Sequence, residues 1–130
     1  MWLRSFDDPI IVRIVLEPNN MRVVTSQATL APNDDLSNVR RDSSSLRATT
    51  WDSFLERTSL REFWTTNVPK SGLLGLDGAQ WIMEFRDGPR YRAVDWWSPK
   101  AGGGTEGGYR ALFLDILSLG SVQVKPNAVY

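Results

Sequence analysis

The sequence predicts a single α+β domain over residues 1–130, with an antiparallel sheet built from two β-hairpins and two helices packed on one face. Three observations favour this class: two hairpin-like segments, at residues 9–28 and 76–99, and a helical apolar stripe near the C-terminus. The hydrophobic share of 42% is sufficient for a core, whereas disordered chains are poor in apolar residues. We therefore expect one globule around one core.

The first hairpin is predicted from residues 9–17, which are rich in β-branched side chains, and residues 21–28, which alternate. A two-residue turn at positions 19–20 places Glu17 opposite Arg22. Because opposite charges then face each other, we expect this register.

Residues 31–45 are predicted to form a mobile loop, since they contain turn formers and charges with few apolar anchors. A loop of this length is either a plain surface connection or a segment that becomes ordered on a partner. The composition leaves both open.

The first helix is expected after Thr50, a suitable N-cap, with Trp51, Phe54 and Leu55 on its buried face. A further apolar cluster, which includes Phe63, follows it. The connection then leads into the second hairpin.

The final helix is predicted by an i, i+3, i+4, i+7, i+8 stripe of apolar side chains, with Thr105 as the N-cap. The stripe consists of Tyr109, Leu112, Phe113, Ile116 and Leu117. Residues 121–130 are expected to form a C-terminal tail.

Residues 100–108 are predicted to be a glycine-rich linker. Residues 102–107 also match the pattern G-x-G-x-x-G, which occurs in dinucleotide-binding loops. Glu106, however, places a carboxylate where a helix N-terminus receives phosphate, and no βαβ pattern follows. The linker interpretation is therefore favoured, and no cofactor is expected.

The second hairpin carries the chain's densest aromatic pattern. Trp81 and Phe85 fall on one face and Glu84 on the other. A three-residue turn at Asp87-Gly88-Pro89 places Glu84 opposite Arg92, and Trp81 opposite Asp95. Since Trp96 and Trp97 are adjacent, they must point to opposite faces, and one of them is a candidate for an exposed stacking surface.

The candidate binding residues all lie on this hairpin and combine aromatic, cationic and acidic side chains. They are Trp96, Trp97, Tyr91, Arg86, Arg90, Arg92 and Asp95. Aromatic and Arg side chains are enriched at binding hot spots, although a solvated, ion-paired surface is the favoured interpretation of the Arg residues.

The chain contains neither His nor Cys, so its carboxylates are the side chains suited to acid–base catalysis. Asp77, Glu84 and Asp95 are the candidates for acid and base roles in a hydrolase. Glu84 is better explained as a cross-strand partner of Arg92, and Asp77-Gly78 as a turn. A non-enzyme without a metal site is therefore expected.

Charge and cysteine content limit the partners. Fifteen basic and fifteen acidic residues cancel, so no net field attracts nucleic acid or an anionic membrane. The apolar run at residues 10–16 is interrupted by Arg13 and too short to span a bilayer. The absence of Cys fits a reducing compartment, and we expect a cytoplasmic protein unless a signal peptide has been removed.

Several short motifs together resemble a group of short bacterial proteins. These motifs are RSFDDPIIVRI, W-x-x-F followed by FW, LDGAQWIME, Y-x-x-V-D-W-W-S-P and the closing helix. The resemblance implies a shared framework and no particular activity. That framework comprises Asp77, Gly78, Trp81, Glu84, Tyr91, Trp97, Ser98 and Pro99.

Three functional hypotheses follow. The first is a non-enzymatic protein-interaction module, such as an inhibitor or immunity-type partner of a bacterial effector. The second is a small-ligand or carbohydrate-binding module that uses an exposed Trp, and the third is a carboxylate-dependent hydrolase.

Overall fold

A computed structural model describes residues 2–4, 7–17, 20–30, 36–57, 60–65 and 78–122. The strands in these ranges are β1 (Trp2–Arg4), β2 (Asp7–Glu17), β3 (Asn20–Leu30), β4 (Leu36–Ser45), β5 (Ala79–Asp87) and β6 (Arg90–Trp97). The helices are α1 (Ala48–Arg57), α2 (Leu60–Thr65) and α3 (Gly104–Ser118).

The strands form one antiparallel sheet in the order β4-β3-β2-β1-β5-β6. The predicted α+β class is confirmed, although two strands and one helix are added to the predicted set. The short strand β1 pairs with β2 on one side and with β5 on the other. It therefore joins the two hairpins into a continuous sheet.

The predicted register of the first hairpin is wrong by two residues. Glu17 pairs with Asn20, and Arg22 pairs with Val15, so the connection falls at positions 18–19. A shift of two leaves every side chain on its expected face. The Glu17 and Arg22 side chains still form an ion pair of 2.7 Å, but diagonally across the strands.

The predicted mobile loop at residues 31–45 is wrong over most of its length, because residues 36–45 form the edge strand β4. An edge strand with one neighbour is held by backbone hydrogen bonds, so its sequence does not require apolar alternation. Its polar and charged side chains limit pairing with other chains. Residues 31–35 lie outside the described residues.

The helix starts also differ from prediction. Helix α1 begins at Ala48, before Thr50, and α3 begins at Gly104 with Gly103 as its N-cap, so Thr105 lies inside the helix. The linker predicted at residues 100–108 therefore ends earlier. Its last residues form the first turns of α3, where the Glu106 carboxylate accepts a hydrogen bond of 2.7 Å from the backbone N–H of Lys100.

The hydrophobic core lies between the sheet and the helices. Helix α3 contributes the predicted stripe, in which Phe113 contacts Trp81 with ring centroids 4.6 Å apart. Helix α2 contributes Phe63, which lies 4.7 Å from Phe85, and α1 contributes the fully buried Phe54. Phe54, Phe63 and Phe113 belong to one buried cluster with Trp81 and Met83 of β5, so the three helices lie on the same face of the sheet.

The residues that directly follow α3 contact strands β2 and β3. Gly120 approaches β2 and β3 so closely that a Cβ there would lie 2.8 Å from the Thr25 hydroxyl. The backbone N–H of Ser121 donates a hydrogen bond of 3.0 Å to that hydroxyl. Only Ser121 and Val122 of the predicted tail lie within the described residues.

None of the helices within the described ranges is long and apolar enough to cross a membrane.

Candidate binding face

The second hairpin has a two-residue turn, so its predicted register is wrong by one residue. Gly88 adopts φ +57, which suits the first position of a tight hairpin turn, and Asp87 pairs with Arg90. As a result, Glu84 pairs with Ala93 and Phe85 pairs with Arg92. Because a shift of one residue reverses the facing of a strand, β6 is turned over relative to prediction.

This shift corrects two pairings. Arg92 points to the helix side of the sheet, away from Glu84, and it donates a hydrogen bond of 2.8 Å to the Trp64 carbonyl. Trp81 pairs with Trp96, whereas Asp95 pairs with Ile82 on the opposite face and is no acceptor for the Trp81 indole.

Three of the predicted binding residues therefore lie on the helix side of the sheet and contact aromatic rings of α2 and α3. The Arg92 guanidinium lies 5.4 Å from the centroid of the Phe63 ring, and that of Arg90 lies 5.0 Å from the Trp64 ring. Arg90 also forms an ion pair with Asp87 at the turn. Trp96 is half-buried, with its ring 6.0 Å from the Tyr109 ring. These side chains attach α2 and α3 to the hairpin.

The other four predicted residues share the opposite face of the sheet. Tyr91, Arg86 and Asp95 are exposed there, and Trp97 is half-buried. We call the side of the sheet that points away from α1, α2 and α3 the open face. On β5 and β6 it also carries Gln80, Ile82, Glu84 and Ala93.

Polar side chains on the open face are organised by hydrogen bonds across the strands. The Gln80 amide donates to the Asp95 carboxylate at 2.9 Å. Partial desolvation raises the pKa of Tyr91, and the charge of Glu84 and a hydrogen bond to its carboxylate raise it further. Glu84 and Asp95 are thus both exposed, and each is hydrogen-bonded to an uncharged side chain, Tyr91 for Glu84 and Gln80 for Asp95.

We expect the pKa of Tyr91 to fall toward its ordinary value in Glu84→Gln, because the substitution removes the negative charge that opposes phenolate formation. Ultraviolet titration of the tyrosines measures this change. The matched control is Asp95→Asn, which alters a carboxylate on the same face but leaves the contact with Glu84 intact. An equal fall in both variants contradicts the assignment.

At the end of the second hairpin opposite its turn, hydrogen bonds join the GAQW and WSP segments. The backbone N–H of Ser98 donates to the Ala79 carbonyl at 2.8 Å, and the Ser98 hydroxyl accepts from the Ala79 N–H at 2.9 Å. Gly78 lies directly against Ser98 and Trp97, and Pro99 is fully buried. Asp77 lies outside the described residues. The Ser98 hydroxyl therefore helps to hold together the two strand ends that lie opposite the turn.

The open face continues over β2, β3 and β4, which the sequence did not reveal as part of a site. Ile11 is 43% exposed there, although it belongs to an apolar run that a buried strand would explain equally well. Val15 and Val24 are half-buried neighbours, and Arg13 and Arg41 are exposed. Alternation along β2 is the sequence signal that indicates this exposure, because neighbouring residues point to opposite faces and Ile10 is buried whereas Ile11 is not.

Among the described residues, no group of three or more acidic side chains is placed to hold a metal ion. Glu84 and Asp95 lie on the same face but in different hydrogen-bonded pairs. The hydrolase hypothesis remains an untested prediction.

Comparison of the chain with protein-family models, with curated proteins and with solved structures yields no match. The resemblance to a group of short bacterial proteins stays a prediction.

Proposed function

We propose that this protein is a non-enzymatic protein-interaction module that binds a partner protein through the open face. The supporting observation is the layering of the fold, since the described helices all pack on the other face. Tyr91, which is 60% exposed, and Ile11 thus remain accessible on a rigid sheet. An inhibitor or immunity-type partner of a bacterial effector is one such module.

The composition of the open face fits a protein partner. It combines aromatic side chains with Arg13, Arg41 and Arg86, and both residue types are enriched at protein interfaces. Its apolar side chains are interspersed with polar ones, which is typical of interfaces between proteins that also exist separately. A rigid sheet also presents these groups without a large entropic cost on binding.

The proposal is tested by affinity capture from native lysate with matched variants. We expect a stoichiometric partner to be retained by the wild type and by Leu55→Ser, whose side chain is 39% exposed on α1. The variant carrying Ile11→Ser and Tyr91→Ser should lose that partner while still unfolding in one cooperative transition. Loss of the partner only in Leu55→Ser would contradict binding at the open face.

A second candidate function is carbohydrate binding, which one geometric observation favours. Tyr91 and Trp97 lie on the same strand and the same face, so six residues separate them by roughly 20 Å. Asp95 and Gln80 lie next to Trp97 and offer hydrogen-bonding groups. An oligosaccharide that fits this line should raise the melting temperature and change the Trp emission. If no member of a broad glycan panel does either, this candidate fails.

A further inference from the structure

The open face carries its charges in rows that run across β2–β4 on one side of the short strand β1 and across β5 and β6 on the other. Trp2 pairs with Ile10 on one side and with Trp81 on the other, so these residues mark one row. Strands β2 and β5 are both antiparallel to β1, and therefore run in the same direction. One residue further along them, Ile11 and Ile82 lie at the same level of the open face, just beyond the described end of β1 at Trp2.

This row ends in opposite charges at the two edges of the sheet. Ile11 pairs with Ser26, which in turn pairs with Arg41 on the edge strand β4. Ile82 pairs with Asp95 on the other edge strand, β6. The row is therefore positive at one end, apolar at its centre and negative at the other end.

The next row has the same polarity. Arg13 on β2 and Glu84 on β5 each lie two residues beyond the first row, and both are exposed. The third row carries Arg22, whose charge is balanced by Glu17 at 2.7 Å, and Arg86. In the first two of these rows, the β2–β4 half of the open face is thus positive and the β5–β6 half is negative, whereas the third row does not share this polarity.

A surface with this pattern is complementary to itself. We propose that, in the free protein, the open face pairs with the open face of a second copy about a two-fold axis that runs parallel to the strands. Such an axis exchanges the two halves of the sheet, so Arg41 of each copy lies opposite Asp95 of the other. This inference rests on the proposed function, because it names an occupant for the same face.

The size of the face suits this occupant. Six strands of about 4.8 Å spacing are roughly 24 Å wide, and strands of 8 to 11 residues are roughly 27 to 36 Å long. Since β1 has only three residues, the projected area is about 600 Å² per copy, somewhat below the value of about 800 Å² per partner in stable complexes. Two twisted sheets packed face to face also keep their strands nearly aligned.

The experiment is sedimentation velocity on single charge reversals and on their mixture. The wild type should be a dimer that dissociates as salt is added. Arg41→Asp and Asp95→Arg should each weaken self-association by about tenfold or more, because like charges then face each other. Their equimolar mixture should form a heterodimer of nearly wild-type strength, since every facing pair in it is again of opposite charge. Asp52→Arg on α1 is the matched control and should remain a dimer.

Two results overturn the inference: a wild type that stays monomeric up to near-millimolar concentration, and a mixture that associates no better than its components. Thermal melting of each variant confirms that the exposed substitutions leave the fold intact. The proposed function is judged separately. A monomeric wild type whose captured partner is lost on Ile11→Ser and Tyr91→Ser overturns the dimer and leaves the proposed function standing.

Discussion

Gly78→Ala is expected to destabilise the protein by about 2–4 kcal/mol, which is a large fraction of the stability of a domain this size. Gly78 has φ +139, a conformation that side-chain-bearing residues rarely adopt. A Cβ at this position would lie 2.3 Å from the Ser98 hydroxyl and 2.8 Å from the Trp97 indole nitrogen. The substitution therefore combines backbone strain with steric overlap at the end of the hairpin opposite its turn.

Denaturant unfolding measures this change, and Gly88→Ala is the matched control. Gly88 also has a positive φ, +57, but a Cβ there would meet nothing within 4 Å. We expect the control to cost less than Gly78→Ala, because the positive φ is its only penalty and no atom overlaps the new Cβ. Equal midpoints for the two variants would contradict the close contact at Gly78.

Phe63→Ala is expected to cost about 3–5 kcal/mol, as is usual when a buried aromatic side chain is removed. Phe63 is 2% exposed and contacts three different parts of the fold. Its ring lies 4.7 Å from Phe85 and 5.6 Å from Tyr109, and the Arg92 guanidinium stacks over it at 5.4 Å. Removing the ring leaves a cavity where α2, α3 and the hairpin meet.

Leu55→Ala on α1 is the control for this prediction, since Leu55 is 39% exposed. We expect it to change the free energy of unfolding by about 0.5 kcal/mol or less. A small effect of Phe63→Ala, similar to that of the control, would mean that α2 does not pack on the hairpin as described.

The sequence predicts those elements whose apolar pattern is strong. Trp81, Met83 and Phe85 face the helices as expected, because alternation along β5 depends only on the strand itself. The stripe of α3 is likewise buried, except that Ile116 is only partly so. In both elements the period of the pattern decides the buried face.

Strand pairing is harder to predict, because turn length decides it. Asp87-Gly88-Pro89 fits a three-residue turn in composition, but the structure closes the hairpin with Gly88 and Pro89 alone. That single residue moves Arg92 from the open face to the Phe63 ring and separates it from Glu84. The structure therefore divides the predicted site between the two faces of the sheet. The open face carries Trp97, Tyr91, Arg86 and Asp95, and the helix side carries Trp96, Arg90 and Arg92.

The edge strand β4 was missed for a different reason. Its residues 36–45 are mostly polar, and sequence patterns detect strands through burial. One neighbouring strand supplies enough backbone hydrogen bonds to order such a segment. Without β4, the position of Arg41 on the open face could not be inferred.

The most direct test of the central claim, that the open face binds the partner, is site-specific photo-crosslinking in cells. A benzophenone amino acid is placed either at position 91 on the open face or at position 55 on α1, both of which are exposed. We predict crosslinked adducts from position 91 and none from position 55. Adducts from position 55 together with none from position 91 would contradict the account.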